Sequence, residues 1–244
     1  MGRRLKSRII IALIGLSAGW TTASAQNILT LNTADSAPYS REDDRGFYDV
    51  LVRSMFADQN VNIKINHLPS ARAINNVNDG IDAGEYARTK GLQRRFKNLV
   101  MLDEKLVDFS FTVFSKDPDF SVDNGWNSFE KYNVAYINGW RILEKNVGKT
   151  KSLVTVSNQK ELFALLAGGR VDLVIYEKWR GIHYLKQAGI TGIFAATPAL
   201  ATRGMYLYLN KSYQHLIPGL KKSLRKLKQS GRYDEILAQT LGQK

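Results

Sequence analysis

Apolar residues recur along the chain in two rhythms, one with the period of a strand and one with the period of a helix. Val61-Asn62-Ile63-Lys64-Ile65 alternates strictly and reads as a strand, as does Asp108 to Phe114. Ile28 to Asn32, Leu99 to Leu102, Tyr132 to Ile137, Leu153 to Val156, Val171 to Tyr176 and Met205 to Leu209 are short apolar runs of the kind that fill buried strands. Between them lie helical stripes. Val50, Leu51 and Met55 form one; Ala71 to Asn78, Trp140 to Asn146, Gln159 to Ala167 and Trp179 to Gln187 form others. The chain closes with an amphipathic run on Leu216, Leu220, Leu224 and Leu227, then a short helix from Tyr233 to Leu241. Strand and helix alternate at the start and again after Tyr132, which predicts mainly parallel sheets flanked by helices.

One stretch repeats. Gly80-Ile81-Asp82 runs on to Glu85 and Arg88, and Gly169-Arg170-Val171-Asp172 runs on to Glu177. Each copy follows a helix that a serine, Ser70 or Ser157, is placed to start and a glycine to stop. Asp82 and Asp172 lie ninety residues apart, so two similar lobes are expected, their charged strand ends facing across a cleft. Lys116-Asp117-Pro118-Asp119 breaks the strand that leaves the first lobe and marks a hinge, and Thr197 to Gly204 reads as the return crossing. The expected fold is α/β, with lobe 1 made of residues 26–116 and 197–244, lobe 2 of residues 117–196, and two hinge strands between them.

The N-terminus sets the compartment. Met1 to Arg8 is basic, Ile9 to Gly19 is apolar, and Ala23-Ser24-Ala25 precedes Gln26, the pattern of a signal peptide over residues 1–25. The apolar core is shorter than the ~20 residues a membrane-spanning helix needs. There is no cysteine, which excludes disulfides, a lipid anchor on that residue, and thiolate chemistry. Removing the leader lowers the formal charge from +13 to +9, which in an exported chain implies a basic surface attractive to anions or the membrane face. His67, His183 and His215 are far apart and in no metal-ligand spacing. No nucleophile elbow or phosphate loop appears, and basic residues do not interleave with aromatics as in a nucleic-acid module. Glu42, Asp43 and Asp44 read as a solvated charge run. No catalytic residue, metal or cofactor is expected, and no nucleic-acid partner.

Several stretches in order carry a resemblance: Ala37-Pro38-Tyr39-Ser40, Gly46-Phe47-Tyr48-Asp49, Gly80-Ile81-Asp82, Gly169-Arg170-Val171-Asp172, and the ending from Leu224 to Gly231-Arg232-Tyr233-Asp234. With the signal peptide, they make the mature chain resemble the periplasmic solute-binding proteins of the amino-acid-binding type, bacterial extracellular solute-binding family three, over nearly its full length. The resemblance implies a type II periplasmic-binding-protein-like fold that closes on a small ligand by hinge motion. It further implies a periplasmic monomer delivering an amino acid or related small carboxylate to the permease of an ABC transporter.

The family's contacts carry over residue by residue. Tyr39 stands where an aromatic residue covers the ligand. The arginine that pairs with the ligand carboxylate falls on Leu92 here, a departure from the family pattern; Arg88, with Glu85 at the same strand end, is the nearest guanidinium. In the second lobe Gly139, Trp140 and Arg141 occupy the anion-binding helix start, and Glu177 the place of the carboxylate that meets the ligand amine. Two other readings share the cleft: a periplasmic lyase of the cyclohexadienyl dehydratase type, using Glu85 or Glu177 as acid, and a soluble sensor module for a membrane receptor.

Overall fold

The computed structural model describes residues 28–242; the expected leader, 1–25, lies outside the described residues. The first apolar run becomes β1 (Leu29–Thr33), followed by α1 (Phe47–Ala57), β2 (Ile63–His67), α2 (Ser70–Asn78), β3 (Gly84–Arg88) and β4 (Leu99–Met101). β2, β1 and β3 lie side by side and parallel. The alternation in β2 is realised: Ile63 and Ile65 are buried while Lys64 is exposed. Helix α1 buries Phe47, Leu51, Met55 and Phe56 in the larger core of this half, against Leu220, Leu224 and Ile236 from the C-terminal helices. Helix α2 covers the opposite face, where Ile74 and Val77 meet Leu99 and Tyr208.

The second half holds β5 (Val107–Ser115), β6 (Asn133–Ile137), α3 (Arg141–Asn146), β7 (Ser152–Val156), α4 (Gln159–Ala167), β8 (Leu173–Glu177), α5 (Lys178–Gln187) and β9 (Phe194–Ala195). β7, β6 and β8 are parallel, and β5 runs antiparallel to β8. All five residues of β8 are buried, as a strand covered on both faces requires. The chain returns through β10 (Ala201–Asn210) to α6 (Ile217–Gln229) and α7 (Arg232–Thr240). β10 belongs to both halves: Ala201 to Met205 pair with β5, while Tyr206 to Asn210 pair with β3 and β4. The result is the α/β architecture expected, two helix-covered half-sheets meeting at β10 in the order β2-β1-β3-β10-β5-β8-β6-β7. No helix among the described residues is long and apolar enough to cross a membrane.

The repeated stretch is a repeated structure. Gly80 and Gly169 sit in the left-handed region, at φ 77° and 67°. In both, the glycine N–H and the next N–H fold back onto the helix: Gly80 to Val77 O and Ile81 to Asn76 O, Gly169 to Leu166 O and Arg170 to Leu165 O. This is the glycine stop of a Schellman motif. The aspartate that follows is a clasp in each half. Asp82 Oδ2 accepts from the side-chain amides of Asn32 and Asn76, at 2.8 and 2.9 Å. Asp172 Oδ2 accepts from the Asn133 N–H and amide, at 2.7 and 2.9 Å.

Three local expectations shift. Neither serine caps its helix: Ser70 is the first residue of α2, and Asn158 takes the cap of α4, its side chain accepting from Glu161 N–H at 3.0 Å. The strand of the first repeat, whose charged end was expected to follow Gly80-Ile81-Asp82, begins only at Gly84 and leaves Ile81 70% exposed, because Asp82 is held by the clasp before the chain can pair. The hinge expected at Lys116–Asp119 falls at the far end of β5 instead. The chain has passed from one core to the other before that point, within β5: Leu106 and Val107 belong to the first core, Phe111 to the second, and Phe109 packs against both.

Candidate functional site

The loop after β1, the end of β3 and the start of α5 converge between the two halves, where parallel α/β sheets open to ligands. A cavity of about 240 Å³ lies there, lined among others by Asp35, Ser70, Ala87, Arg88, Phe109 and Arg180. Asp35 also lines a wider space of about 650 Å³ that continues past Arg41 and Pro69 to His67 and His183.

Two contacts tie the halves together at this point. Asp35 is set by its loop: its N–H donates to Thr33 Oγ1 at 3.1 Å, and its Oδ1 accepts from the Ser36 N–H at 2.9 Å. It forms an ion pair with Arg180. Arg180 is held from its own side, because Glu177 caps α5 and its Oε2 accepts the Arg180 N–H at 2.9 Å. The guanidinium lies over the Phe109 ring, 5.4 Å from its centroid. The second tie is Tyr39 Oη, which donates to Glu177 Oε1 at 2.8 Å. Burial raises the pKa of both carboxyls, Asp35 against the pull of Arg180 and Glu177 against its own N–H and O–H donors.

Glu85 and Arg88 stand together at the end of β3, as an ion pair. The Glu85 carboxyl is pushed up to about 7 by burial, which outweighs the lowering by Arg88. Arg88 is fully engaged: Nε donates to Glu85 Oε1, Nη1 to Ser70 Oγ and Nη2 to Ser70 O, each at 2.7 Å. Between them Ala87 has φ 64°, unusual for a residue with a side chain, beside a register shift in the pairing of β3 with β10. A bulge of this kind re-aims the next side chain, and such backbone outliers gather at ligand sites.

The structure therefore brings Tyr39, Glu85, Arg88 and Glu177 to one region. Tyr39 is fully buried, stacked on Tyr48 and Phe109 with centroids 5.2 and 5.9 Å away, rather than open to the cavity. Gly139, Trp140 and Arg141 do not line either cavity. The Gly139 N–H donates to Glu144 Oε1 at 2.8 Å, so the amide expected to meet an anion has a partner within the chain. Trp140 stacks on Tyr176 at 5.0 Å and meets Phe111 edge-on, while Arg141 is exposed. Among the described residues no group of three or more His, Asp and Glu is placed to hold a metal ion.

Sequence reasoning missed Asp35, Phe109 and Arg180. One signal was available for Arg180. A cation in the first turn of a helix opposes the helix dipole, so Arg180 needed a reason other than helix stability.

No family model and no curated protein matches the sequence. Solved structures do. The second substrate-binding domain of GlnP from Lactococcus lactis, in an open conformation, superposes with a TM-score of 0.72 at 17% identity, over 90% of this chain and 97% of that one. The amino acid ABC transporter substrate-binding protein AbpA from Streptococcus pneumoniae, bound to L-arginine, gives 0.60 at 16%, over 89% and 95%. A histidine kinase sensor domain with similarity to periplasmic binding proteins gives 0.62 at 16%, over 89% and 97%. At such identities the likeness is one of fold: the chain has the periplasmic-binding-protein-like fold of amino-acid-binding domains.

Proposed function

We propose that the chain is an exported solute-binding protein, not an enzyme, that captures a small polar ligand between its half-sheets and delivers it to an ABC-type transporter. The observation that carries this reading is the cavity itself, walled by charged groups from both halves, Asp35 and Arg88 from one and Arg180 from the other. A ligand bound there is shared by two bodies, and so couples occupancy to hinge closure. The neighbours named above include binding domains of amino acid transporters, which supports an amino acid or related small carboxylate as ligand. The lobes are residues 26–116 with 197–244 and residues 117–196. The protein acts as a periplasmic monomer after loss of residues 1–25.

A thermal-shift screen of amino acids and small organic acids tests the reading, since any ligand of the native state raises the melting temperature. A rise with at least one amino acid is expected; rises confined to dicarboxylates or phosphate would overturn the amino-acid version. A sensor role draws support from the histidine kinase neighbour, and a membrane receptor gene beside this one, in place of permease and ATPase genes, would favour it. The buried Glu85, with its carboxyl pushed up to about 7, and the buried Glu177, also raised, are the groups that suit an acid catalyst. Turnover of a cyclic dienyl acid that is lost in Glu85→Gln or Glu177→Gln would favour the lyase.

A further inference from the structure

The two arginines of the cleft are in different states. Arg88 has each of its nitrogens engaged by Glu85 and Ser70. Arg180 is paired with Asp35, with Tyr176 and Glu177 beside it, and its Nε is buried without a hydrogen-bond partner. Nε and the neighbouring terminal nitrogen form the edge that holds a carboxylate with two parallel hydrogen bonds. Stacking on Phe109 fixes the plane of that edge.

The Arg180–Asp35 pair is also nearly withdrawn from water, the side chains 24% and 8% exposed, and it joins residues 145 positions apart. Breaking such a pair by engaging one partner leaves the other as a buried, uncompensated charge. A ligand with only a carboxylate strands Asp35. A ligand with only an ammonium takes Asp35 from Arg180 and leaves its guanidinium with Glu177 alone as counter-charge. A molecule that carries both charges on adjoining atoms satisfies both at once.

We propose that the Arg180–Asp35 ion pair is a placeholder for the ligand: an α-amino acid inserts between the two, its carboxylate on Arg180 and its ammonium on Asp35. This rests on the solute-binding reading above and moves recognition of the carboxylate from Arg88 to Arg180. Arg88 becomes a wall held by Ser70 and Glu85, and the side chain of the ligand takes the cavity beside Ala87.

Calorimetric titration of the full mature chain with each common L-amino acid, with succinate and with putrescine tests the proposal. At least one amino acid is expected to bind, and succinate and putrescine to bind far more weakly. Arg180→Gln and Asp35→Asn should each weaken the best amino acid by roughly ten- to hundred-fold, the scale of a hydrogen bond to a charged group. Asp35→Asn should in addition narrow the preference for that amino acid over its deaminated analogue, which loss of a purely structural contact would not do. The double variant Asp35→Asn with Arg180→Gln leaves no lone charge, so it keeps the fold if a single variant does not; it should melt cooperatively and bind no amino acid. In the wild-type chain the Arg180 Nε resonance should shift on saturation with the best amino acid, a readout that needs no variant to fold.

An amino acid that binds Arg180→Gln unchanged while Arg88→Gln abolishes binding overturns the proposal and leaves the solute-binding reading intact. So does an unmoved Nε resonance in a saturated wild-type sample. Succinate or putrescine as the tightest probe overturns it as well. If none of the probes binds the wild-type chain, the amino-acid reading and this proposal fall together.

Discussion

Glu85 is the residue whose environment is most at odds with its chemistry. It has no exposed surface, one oxygen is held by Arg88, and the other is buried without a partner. Burial lifts its carboxyl from 4.5 to about 7. A carboxyl raised on folding contributes stability that is fully present below its unfolded value, about 4.5, and is lost as pH rises through about 7. The melting temperature of Glu85→Gln relative to wild type should therefore climb between pH values near 5 and near 8, measured by calorimetry at each pH. Glu104 acts in a separate window. Lys228 and Arg225 hold its carboxyl below 4.5, so its contribution is lost only on further acidification and leaves the Glu85 window clear. Tyr39 makes a second residue-level case. Tyr39→Phe removes the hydroxyl donor to Glu177 and leaves a buried carboxylate with one partner fewer. A cost of about 1.5–3 kcal/mol, the range for a hydrogen bond to a charged group, should appear in urea denaturation.

Among the elements, α5 shows how tightly helix and sheet are fitted. A Cβ placed on Gly181 would lie 2.2 Å from Phe114 Cζ, in the interior of β5. Gly181→Ala must push a buried ring or the helix itself, and should destabilise by roughly 1–3 kcal/mol in the same denaturation assay. Helix α4 offers a milder test. Asn158→Ala removes the cap of the Glu161 N–H and should cost about 1 kcal/mol. These elements were legible in the sequence to the extent that local rules made them. Gly80 and Gly169 stop their helices because only a residue without a side chain enters the left-handed turn at no cost, and that shows in any window of the chain. The caps were less legible, since Ser157 and Asn158 both suit the position and only the backbone decides between them. Ile81 misled because an apolar residue at a helix end looks like the start of a strand, while the clasp on Asp82 depends on Asn32, fifty positions away. Arg180 showed only as a cation misplaced in a first turn; its partner Asp35 is fixed by a fold and not by a neighbouring residue. Glu85, Arg88, Glu177 and Tyr39 were brought to one region because strand ends are predictable, whereas the bonds that engage Arg88 and Gly139 are not.

At the scale of the whole molecule, the two half-sheets share β10, are linked a second time by β5, and meet again through α5, so the hinge motion proposed above would turn on β5 and β10. Arg180 and Glu177 both belong to that contact, and Trp179 stands between them in sequence. Although Trp179 lies in the second half, its ring packs against the core of the first. Trp140, by contrast, stays within the second half, stacked on Tyr176. Trp126 also packs within the second half, so separation of the halves must wet the Trp179 indole and leave the other two described ones as they are. The chain thus contains its own optical gauge of closure. Emission should shift to the blue as the ligand closes the halves. That shift should vanish in Trp179→Phe and persist in Trp140→Phe, so that a cuvette and a lamp can follow the hinge without any attached label.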